Sequence, residues 1–247
     1  MHNNVSIIIP ARYGSSRYRG KPLVKILGRE MVLRVADICL KVVDKKNLYV
    51  ATDSKKIQKI VEKSNYKVIR TSSKCLTGTD RVAEASKKIT SKIIINVQGD
   101  EPTIDPKDVM KIIRAKIKFP NHVICGYDKV HKYENPKSKN LPKIVINDKN
   151  DLIYISRALI PGEKKKFNKD FLKQVCIYGF SKLDLKKFYS YNKKSKLEKI
   201  EDIEILRFFE FGTKIKMIKL NSNSVAVDEI KDVAKAEKLI KTKLKNE

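Results

Sequence analysis

The chain has 247 residues, and its 55 lysines and arginines against 28 aspartates and glutamates give a formal net charge of +27. Hydrophobic residues make up 41% of the sequence, which is enough apolar mass for the core of one large domain. A charged fraction of 34% with a basic excess excludes an acidic disordered chain and argues against an integral membrane protein, but it leaves a nucleic-acid-binding protein open.

The first half of the sequence alternates short apolar runs with stretches of helical periodicity. The predicted strands are Val5–Pro10, Leu48–Ala51, Lys67–Arg70 and Lys92–Val97, and the predicted helices are Met31–Val43, a segment capped by Asp53 or Ser54, Asp80–Lys88 and Asp105–Lys118. The continuous isoleucine run in the fourth strand is typical of a sheet covered on both faces. This alternation predicts βαβ units and a mainly parallel sheet.

The second half has more strands and fewer helices. Strands are predicted at His122–Tyr127, Lys143–Asn147, Leu152–Ser156, Val175–Phe180 and Ile215–Leu220, and helices at Leu183–Tyr189, Leu197–Phe209 and Asp228–Leu244. Consecutive strands without intervening helices predict an antiparallel or mixed extension of the sheet. We therefore predict one α/β domain over residues 1–247, with the extension within about residues 122–190.

A loop rich in cations, residues 10–23, follows the first predicted strand. Ligands of open α/β sheets bind at the carboxyl ends of strands, so the backbone N–H groups and fixed cations of this loop can surround a polyphosphate. The loop is not a P-loop, because Pro22 follows Lys21, and it lacks the dinucleotide fingerprint. A basic surface loop is the alternative. Its four cations are Arg12, Arg17, Arg19 and Lys21.

An acidic turn, Asn96–Pro102, ends the fourth predicted strand. Its adjacent carboxylates, Asp100 and Glu101, could hold Mg²⁺ on a bound triphosphate, because hard cations take carboxylate oxygens. The alternative is an ordinary turn in which one of the two acids caps the next helix. Together with the cationic loop, the turn predicts a nucleotidyl-transfer site.

The cysteines and histidines do not follow a metal-binding pattern. The four cysteines lie 36 to 51 residues apart without a C-x-x-C pair, and no histidine lies near them at ligand spacing. This spacing argues against a disulfide framework and fits a reducing compartment. The apolar run Val5–Ile9 is too short for a signal peptide or a membrane span. We therefore expect a cytoplasmic protein that does not insert into membranes.

Several motifs appear in the order in which they occur in 3-deoxy-manno-octulosonate cytidylyltransferases, and the chain resembles this family over almost its whole length. The motifs are residues 5–23, Thr77–Arg81, Asn96–Pro102, Ser156–Ala158, Ile177–Phe180 and Leu197–Arg207. The resemblance implies a Rossmann-like sheet of the nucleotide-diphospho-sugar transferase type. It also implies a homodimer formed through the sheet extension, and transfer of CMP from CTP to the anomeric hydroxyl of 3-deoxy-D-manno-octulosonate (Kdo), an eight-carbon acidic sugar, for lipopolysaccharide synthesis.

The resemblance also implies a role for individual residues. Those matching the triphosphate site are Pro10, Ala11, Arg12, Arg17 and Lys21, and those matching the cytidine strip are Thr79 and Arg81. Those matching the sugar site are Gln98, Arg157, Tyr178, Glu201 and Glu204, and those matching the Mg²⁺ ligands are Asp100 and Asp228. The expected catalytic residues are Asp100, Lys21, Arg12 and Arg17.

Structural alternatives stay open for several of these residues. Arg157 could clamp a carboxylate or form a structural ion pair, and Tyr178 could be a core tyrosine with a bonded hydroxyl. Glu201 and Glu204, predicted three apart on one helix, could form a solvated face or pair with Arg207. Asp228 could simply cap the last helix.

The chain departs from the family pattern at Arg19, which replaces a proline, at Gln174, where a histidine is usual, at Ile205, which replaces a glutamine, and in the segment after Asp228. Gln174 and Ile205 are expected near the sugar, so an 8-amino or otherwise altered octulosonate, or a nonulosonic acid, is an alternative acceptor.

The charge of +27 supports a third hypothesis, a nucleic-acid-binding protein. Only ten of the 55 basic residues are arginines, however, and the lysines are scattered over the chain without interleaved stacking aromatics. We therefore expect no nucleic-acid partner.

Overall fold

Strands and helices alternate along the first half of the chain, as the hydrophobic pattern predicts. The computed structural model describes residues 4–14, 18–162, 164 and 170–245. Up to residue 118 the elements are β1 (Val5–Ala11), β2 (Lys25–Ile26), β3 (Arg29–Glu30), α1 (Met31–Leu40), β4 (Leu48–Thr52), α2 (Lys55–Lys63), β5 (Lys67–Arg70), α3 (Gly78–Ser86), β6 (Ile93–Val97) and α4 (Pro106–Lys118). The four strands predicted in this half lie within one residue of the observed bounds. The short β2–β3 hairpin was not predicted.

The second half adds more strands to the same sheet. Its elements are β7 (Val123–Lys129), β8 (Lys143–Ile146), β9 (Leu152–Ser156), β10 (Leu172–Ser181), α5 (Lys182–Ser190), α6 (Lys196–Glu201), α7 (Ile205–Glu210), β11 (Ile215–Lys219) and α8 (Ile230–Lys245). The main path of the sheet runs β11-β7-β10-β6-β1-β4-β5, and β8 pairs with both β10 and β9. Because β10 is antiparallel to β6, β7 and β8, the predicted mixed extension is confirmed.

Helices cover both faces of the sheet, as the apolar β1 sequence requires. Alternate residues of a strand point to opposite faces, and Ile7 packs in one buried cluster with residues of α1 and α4. The neighbouring Ile8 packs in the other cluster, with residues of α3 and α5. All of β1 is buried, which explains why its sequence is a continuous apolar run rather than an alternating one.

Side-chain caps fix the beginnings of two helices at the predicted residues. The Ser54 hydroxyl accepts a hydrogen bond from the N–H of Ile57 at the start of α2, and the Asp105 carboxylate accepts one from Lys107 at the start of α4. These caps satisfy N–H groups that have no partner within the helix. α2 and α4 therefore start where the sequence indicates.

The helix predicted over Leu197–Phe209 is wrong as a single element. It is two short helices, α6 and α7, because Asp202 adopts a left-handed conformation with φ 50° that interrupts the helical hydrogen bonding. Left-handed conformations are uncommon outside glycine, and aspartate is one of the residues that tolerate them. As a result Glu201 and Glu204 do not lie on one continuous helix.

A buried charged cluster joins α3, α6 and α7. The Arg207 guanidinium is fully buried and donates to Asp80, with an Nη1–Oδ1 distance of 2.8 Å, and to Glu198, with an Nε–Oε2 distance of 2.7 Å. The alternative in which Glu204 pairs with Arg207 is therefore excluded, since Asp80 and Glu198 bind the guanidinium. Burial opposes the charge, but hydrogen bonds to the two carboxylates outweigh it and raise the pKa of Arg207.

Within the part of the chain that the structure describes, none of the helices combines the length and apolar character needed to cross a membrane.

Candidate active site

Two adjoining cavities lie at the carboxyl ends of β1 and β6. The first has a volume of about 460 Å³ and the second about 280 Å³. Residues of the β1 loop line the first cavity, and residues of β10 line the second. The walls they share are Gln98, Asp100, Arg157, Asp202, Glu204 and Asp228. The two cavities therefore form one polar cleft where ligands of open α/β sheets bind.

A lysine and two aspartates meet in this cleft from distant parts of the sequence. The Lys21 ammonium lies 2.7 Å from Asp100 Oδ2 and 3.2 Å from Asp228 Oδ1. Burial opposes the charge on Lys21, but attraction to the two carboxylates and hydrogen bonds with them outweigh it and raise the pKa of the ammonium. The Val227 N–H donates to Asp100 O at 2.9 Å, so a backbone hydrogen bond also joins the two acidic segments.

The two aspartates are suited to a divalent ion. Neither oxygen is more than 3.2 Å from the shared Lys21 nitrogen, so the two oxygens lie within about 6 Å of each other. The described residues contain no cluster of three or more acidic, histidine or cysteine side chains placed to hold a metal. Mg²⁺ does not need such a cluster, because it commonly takes one or two carboxylates and completes its shell with water and substrate phosphates.

Gly99 lets the β6 turn approach the end of β1. A Cβ atom at this position would lie 2.9 Å from the carbonyl oxygen of Pro10. The backbone of the acidic turn therefore passes close to the residues that begin the cationic loop, and Asp100 comes within reach of Lys21.

Substitution of Gly99 by alanine is expected to lower kcat/KM by about tenfold or more, because the two strand ends must move apart and small displacements of catalytic groups are costly. The measurement is steady-state turnover beside a Gly162→Ala control, since Gly162 is exposed and has open space around its Cβ position. Equal kinetics for the two variants would show that the close approach is not needed.

Glu204 caps the first turn of α3 from across the cleft. Its carboxylate accepts hydrogen bonds from the N–H groups of Gly78 at 3.0 Å and Thr79 at 2.8 Å. These donors are ones that the helix itself cannot satisfy, and the positive end of the helix dipole favours an anion there. Burial nevertheless raises the pKa of Glu204, although the hydrogen bonds from Thr79 and Gly78 oppose this.

Arg157 fixes the interruption between α6 and α7. Its guanidinium donates to the carbonyl oxygens of Glu201 at 2.5 Å, Asp202 at 2.9 Å and Lys139 at 2.7 Å. The Glu201 carboxylate in turn accepts from the Ser156 hydroxyl and the Arg157 N–H. Arg157 thus reaches the cleft with most of its donors bound to backbone carbonyls, and it forms no ion pair with a described residue.

The second cavity is lined by a partly buried ion pair and a hydrogen-bonded tyrosine. Lys173 donates to both oxygens of Glu134, at 2.6 and 2.7 Å. The Gln174 amide donates to the Tyr178 hydroxyl at 3.2 Å, and burial raises the pKa of Tyr178 well above its ordinary value. Burial and the neighbouring Asp100 raise the pKa of Glu101 to about 7. These groups can hold the hydroxyls of a polar ligand.

Most predicted site residues line the cleft. The first cavity alone is lined by Pro10, Ala11, Arg12 and Lys21, and the second alone by Tyr178. Both cavities are lined by Gln98, Asp100, Arg157, Glu204 and Asp228. Arg12 is exposed and forms no ion pair within the described part of the chain. Arg17 lies outside the described residues. Asp228 precedes α8; its N–H donates to Asp232, and its carboxylate accepts a hydrogen bond from Lys21.

Other predicted residues lie behind the cleft. Thr79 and Arg81 are buried in α3, and the Arg81 guanidinium donates to Thr71 and Asp53 rather than to the cavity. Glu201 lines neither cavity and acts through Arg157 and Ser156. Ile205, expected near the sugar, is buried in the core instead, whereas Gln174 does line the second cavity.

Some residues of the cleft were not found from the sequence. Glu134 and Lys173 line the second cavity, as do Ser222 and Ser224 from the segment after β11. Lys173 directly precedes Gln174, a departure from the family pattern that is expected near the sugar. This neighbouring position in the sequence could have indicated that Lys173 also lies at the site. Glu134 and the two serines lie in segments without a motif, and the topology alone brings them to the site.

Comparisons with known proteins identify the family of the chain. The family model described as cytidylyltransferase matches residues 6–215. The chain is 37% identical to a mitochondrial 3-deoxy-manno-octulosonate cytidylyltransferase of Arabidopsis thaliana, over 95% of this chain and 82% of the relative. It is 36% identical to an 8-amino-3,8-dideoxy-manno-octulosonate cytidylyltransferase of Shewanella putrefaciens, over 95% of this chain and 97% of the relative.

Solved structures extend the comparison to the fold. A structure of CMP:2-keto-3-deoxy-manno-octonic acid synthetase complexed with CTP matches with a TM-score of 0.89 and 32% identity, covering 98% of this chain and all of that one. An inositol-1-phosphate CTP transferase of T. maritima matches with a TM-score of 0.67 at 16% identity, over 98% of this chain and 97% of the other, which shows the shared fold alone. The chain belongs to the cytidylyltransferase family, in the group that contains the 3-deoxy-manno-octulosonate cytidylyltransferases and their 8-amino-sugar relatives.

Proposed function

We propose that the protein transfers CMP from CTP to the anomeric hydroxyl of 3-deoxy-D-manno-octulosonate, releasing CMP-Kdo and pyrophosphate for lipopolysaccharide biosynthesis. The observation that carries this proposal is the meeting of Lys21, Asp100 and Asp228 in a cleft at the carboxyl ends of β1 and β6. Family membership supports it, because relatives named for this activity match nearly the whole chain.

In this proposal the nucleotide occupies the first cavity. The backbone of Pro10 and Ala11 and the cations Arg12 and Lys21 face the triphosphate, and Arg17 belongs to the same loop. Cations placed there stabilise the charge that develops on the departing pyrophosphate. Thr77 and Gly78 line the cavity on the cytidine side, and the buried Thr79 and Arg81 follow them at the start of α3.

The sugar acid occupies the second cavity, where Gln98, Tyr178 and Glu204 offer hydrogen-bonding groups. The anomeric hydroxyl then lies towards Asp100 and Asp228, the walls that the two cavities share. Glu201 contributes by fixing Arg157 and the interruption at Asp202.

Asp100 and Asp228 would hold Mg²⁺, which neutralises phosphate charge and lowers the pKa of a bound hydroxyl. The hydroxyl oxygen attacks the α-phosphorus in line with the leaving pyrophosphate, and the displacement needs no covalent intermediate on the protein. The protein's part is to orient both substrates and to supply fixed charge.

The test is pyrophosphate release from CTP and Mg²⁺ with a panel of sugar acids: the octulosonate, its 8-amino analogue and a nonulosonic acid. We expect the octulosonate to be turned over most efficiently. The 8-amino sugar is the second candidate acceptor, because Gln174 lines the second cavity and some relatives are named for this sugar. Turnover of the 8-amino sugar alone would favour it over the octulosonate. Pyrophosphate release with none of the acids would contradict the proposed activity.

We also propose that the protein acts as a cytoplasmic homodimer through the region of residues 122–190, without a nucleic-acid partner. Strand β9 supports the choice of this region as the interface. Among the described strands it forms a ladder only with β8, and it exposes the apolar side chain of Ile153. Light scattering should give the mass of two chains, and an Ile153→Lys variant should give more monomer. A monomeric wild type at micromolar concentration would contradict the dimer.

A further inference from the structure

The ammonium of Lys21 fills the gap between the two aspartates. One nitrogen donates to both Asp100 Oδ2 and Asp228 Oδ1, at 2.7 and 3.2 Å. The lysine side chain is 15% exposed, whereas the aspartates are 29% and 33% exposed, so the cation is the innermost of the three groups. It neutralises carboxylates that would otherwise repel each other.

A divalent ion shared by these oxygens needs the same space. Mg²⁺ binds carboxylate oxygens at roughly 2.0–2.1 Å, so an ion held by both aspartates would need the space between them that the lysine nitrogen now fills. Two cations cannot occupy that gap together, because their repulsion in a partly buried cleft is strong. Lys21 must therefore withdraw before the two aspartates can share a metal ion.

We propose that Lys21 is a resident counter-cation that holds the aspartate pair in place until a divalent ion replaces it. The proposal rests on the proposed function only in naming Asp100 and Asp228 as the metal ligands. It makes Lys21 a positioning residue for the metal site, in addition to its expected role at the triphosphate.

Replacement of Lys21 couples the two halves of the site. Lys21 and Arg12 both line the first cavity, and the turn that Lys21 begins fixes its backbone, so a withdrawn ammonium would remain within that cavity. A polyanion in that cavity attracts the ammonium away from the aspartates and so raises their affinity for the metal. By thermodynamic linkage the metal raises the affinity for the polyanion by the same factor.

The two acidic segments do not depend on Lys21 to stay together. The Val227 N–H donates to Asp100 O at 2.9 Å, and the Val225 N–H donates to the Thr103 hydroxyl at 2.8 Å. Removal of the lysine therefore leaves the two aspartates adjacent, with the ammonium group gone from the space between them.

The test is Mn²⁺ binding to the metal-free full chain, followed by electron paramagnetic resonance without nucleotide or sugar. Lys21→Met is expected to bind Mn²⁺ about tenfold or more tightly than the wild type, because the metal no longer has to displace an ammonium group from the two aspartates. Lys21→Arg keeps a cation and should stay within about threefold of the wild type. Lys194→Met is the matched control, since Lys194 lines the same cavity but pairs with Asp202.

Equal or weaker Mn²⁺ binding by Lys21→Met, including no detectable binding by either protein, would overturn the proposal. So would an equal gain in Lys194→Met, because the effect would then be one of net charge. Circular dichroism checks the fold, and Lys21→Gln replaces Lys21→Met if the latter does not fold. The readout involves no turnover, so a failure of the pyrophosphate assay leaves this result unaffected.

Discussion

Asp100→Asn is expected to lower kcat by roughly 10²-fold or more, which is the scale of losing a key electrostatic stabiliser. The substitution keeps the shape of the side chain but removes the charge that faces Lys21 at 2.7 Å. It also weakens one of the two oxygen ligands proposed for Mg²⁺. The measurement is pyrophosphate release at saturating CTP, Mg²⁺ and sugar acid, together with a thermal melt.

The matched control for this variant is Asp148→Asn, which removes one carboxylate from an exposed turn far along the chain. It should keep the wild-type kcat. A cleanly folded Asp100→Asn protein that turns over at nearly the wild-type rate would remove Asp100 from the proposed chemistry.

Arg207→Met is expected to destabilise the fold by roughly 3–5 kcal/mol, because it leaves the buried carboxylates of Asp80 and Glu198 without their counter-charge. Asp80 lies on α3 and Glu198 on α6, so the loss loosens the packing of three helices. Urea denaturation followed by circular dichroism measures the change in the free energy of unfolding.

Arg114→Met is the control variant, because it makes the same substitution at an arginine that is exposed on α4. It should change the free energy of unfolding by no more than about 0.5 kcal/mol. If both variants unfolded at the same urea concentration, the buried cluster would contribute nothing measurable to stability.

The elements with a clear hydrophobic period could be predicted from the sequence. β1 and β6 are buried on both faces, so their sequences are continuous apolar runs between turn residues. The starts of α2 and α4 were also predicted, because Ser54 and Asp105 cap N–H groups a few residues away. Information of this kind is local and can be read along the chain.

Features that depend on distant contacts could not be predicted. The left-handed Asp202 interrupts a stretch whose apolar spacing is helical throughout, and its partner Arg157 lies 45 residues away. Arg81 matches a motif for nucleotide contact, yet Asp53 and Thr71 hold its guanidinium behind the cleft. In both cases the sequence shows that an arginine is present. Which groups its guanidinium binds depends on the tertiary structure.

The reversed direction of β10 means that the two halves of the cleft are built from strands that do not pair with each other. Ile177 lies opposite Val97 at the end of β6, so the residues of β10 before Ile177 extend past the carboxyl edge into the second cavity. β1, which carries the cationic loop, pairs with β6 and β4 and never with β10. Under the proposed assignment of the two cavities, substitutions in residues 172–176 would alter the acceptor side and leave the strand register beneath the first cavity unchanged.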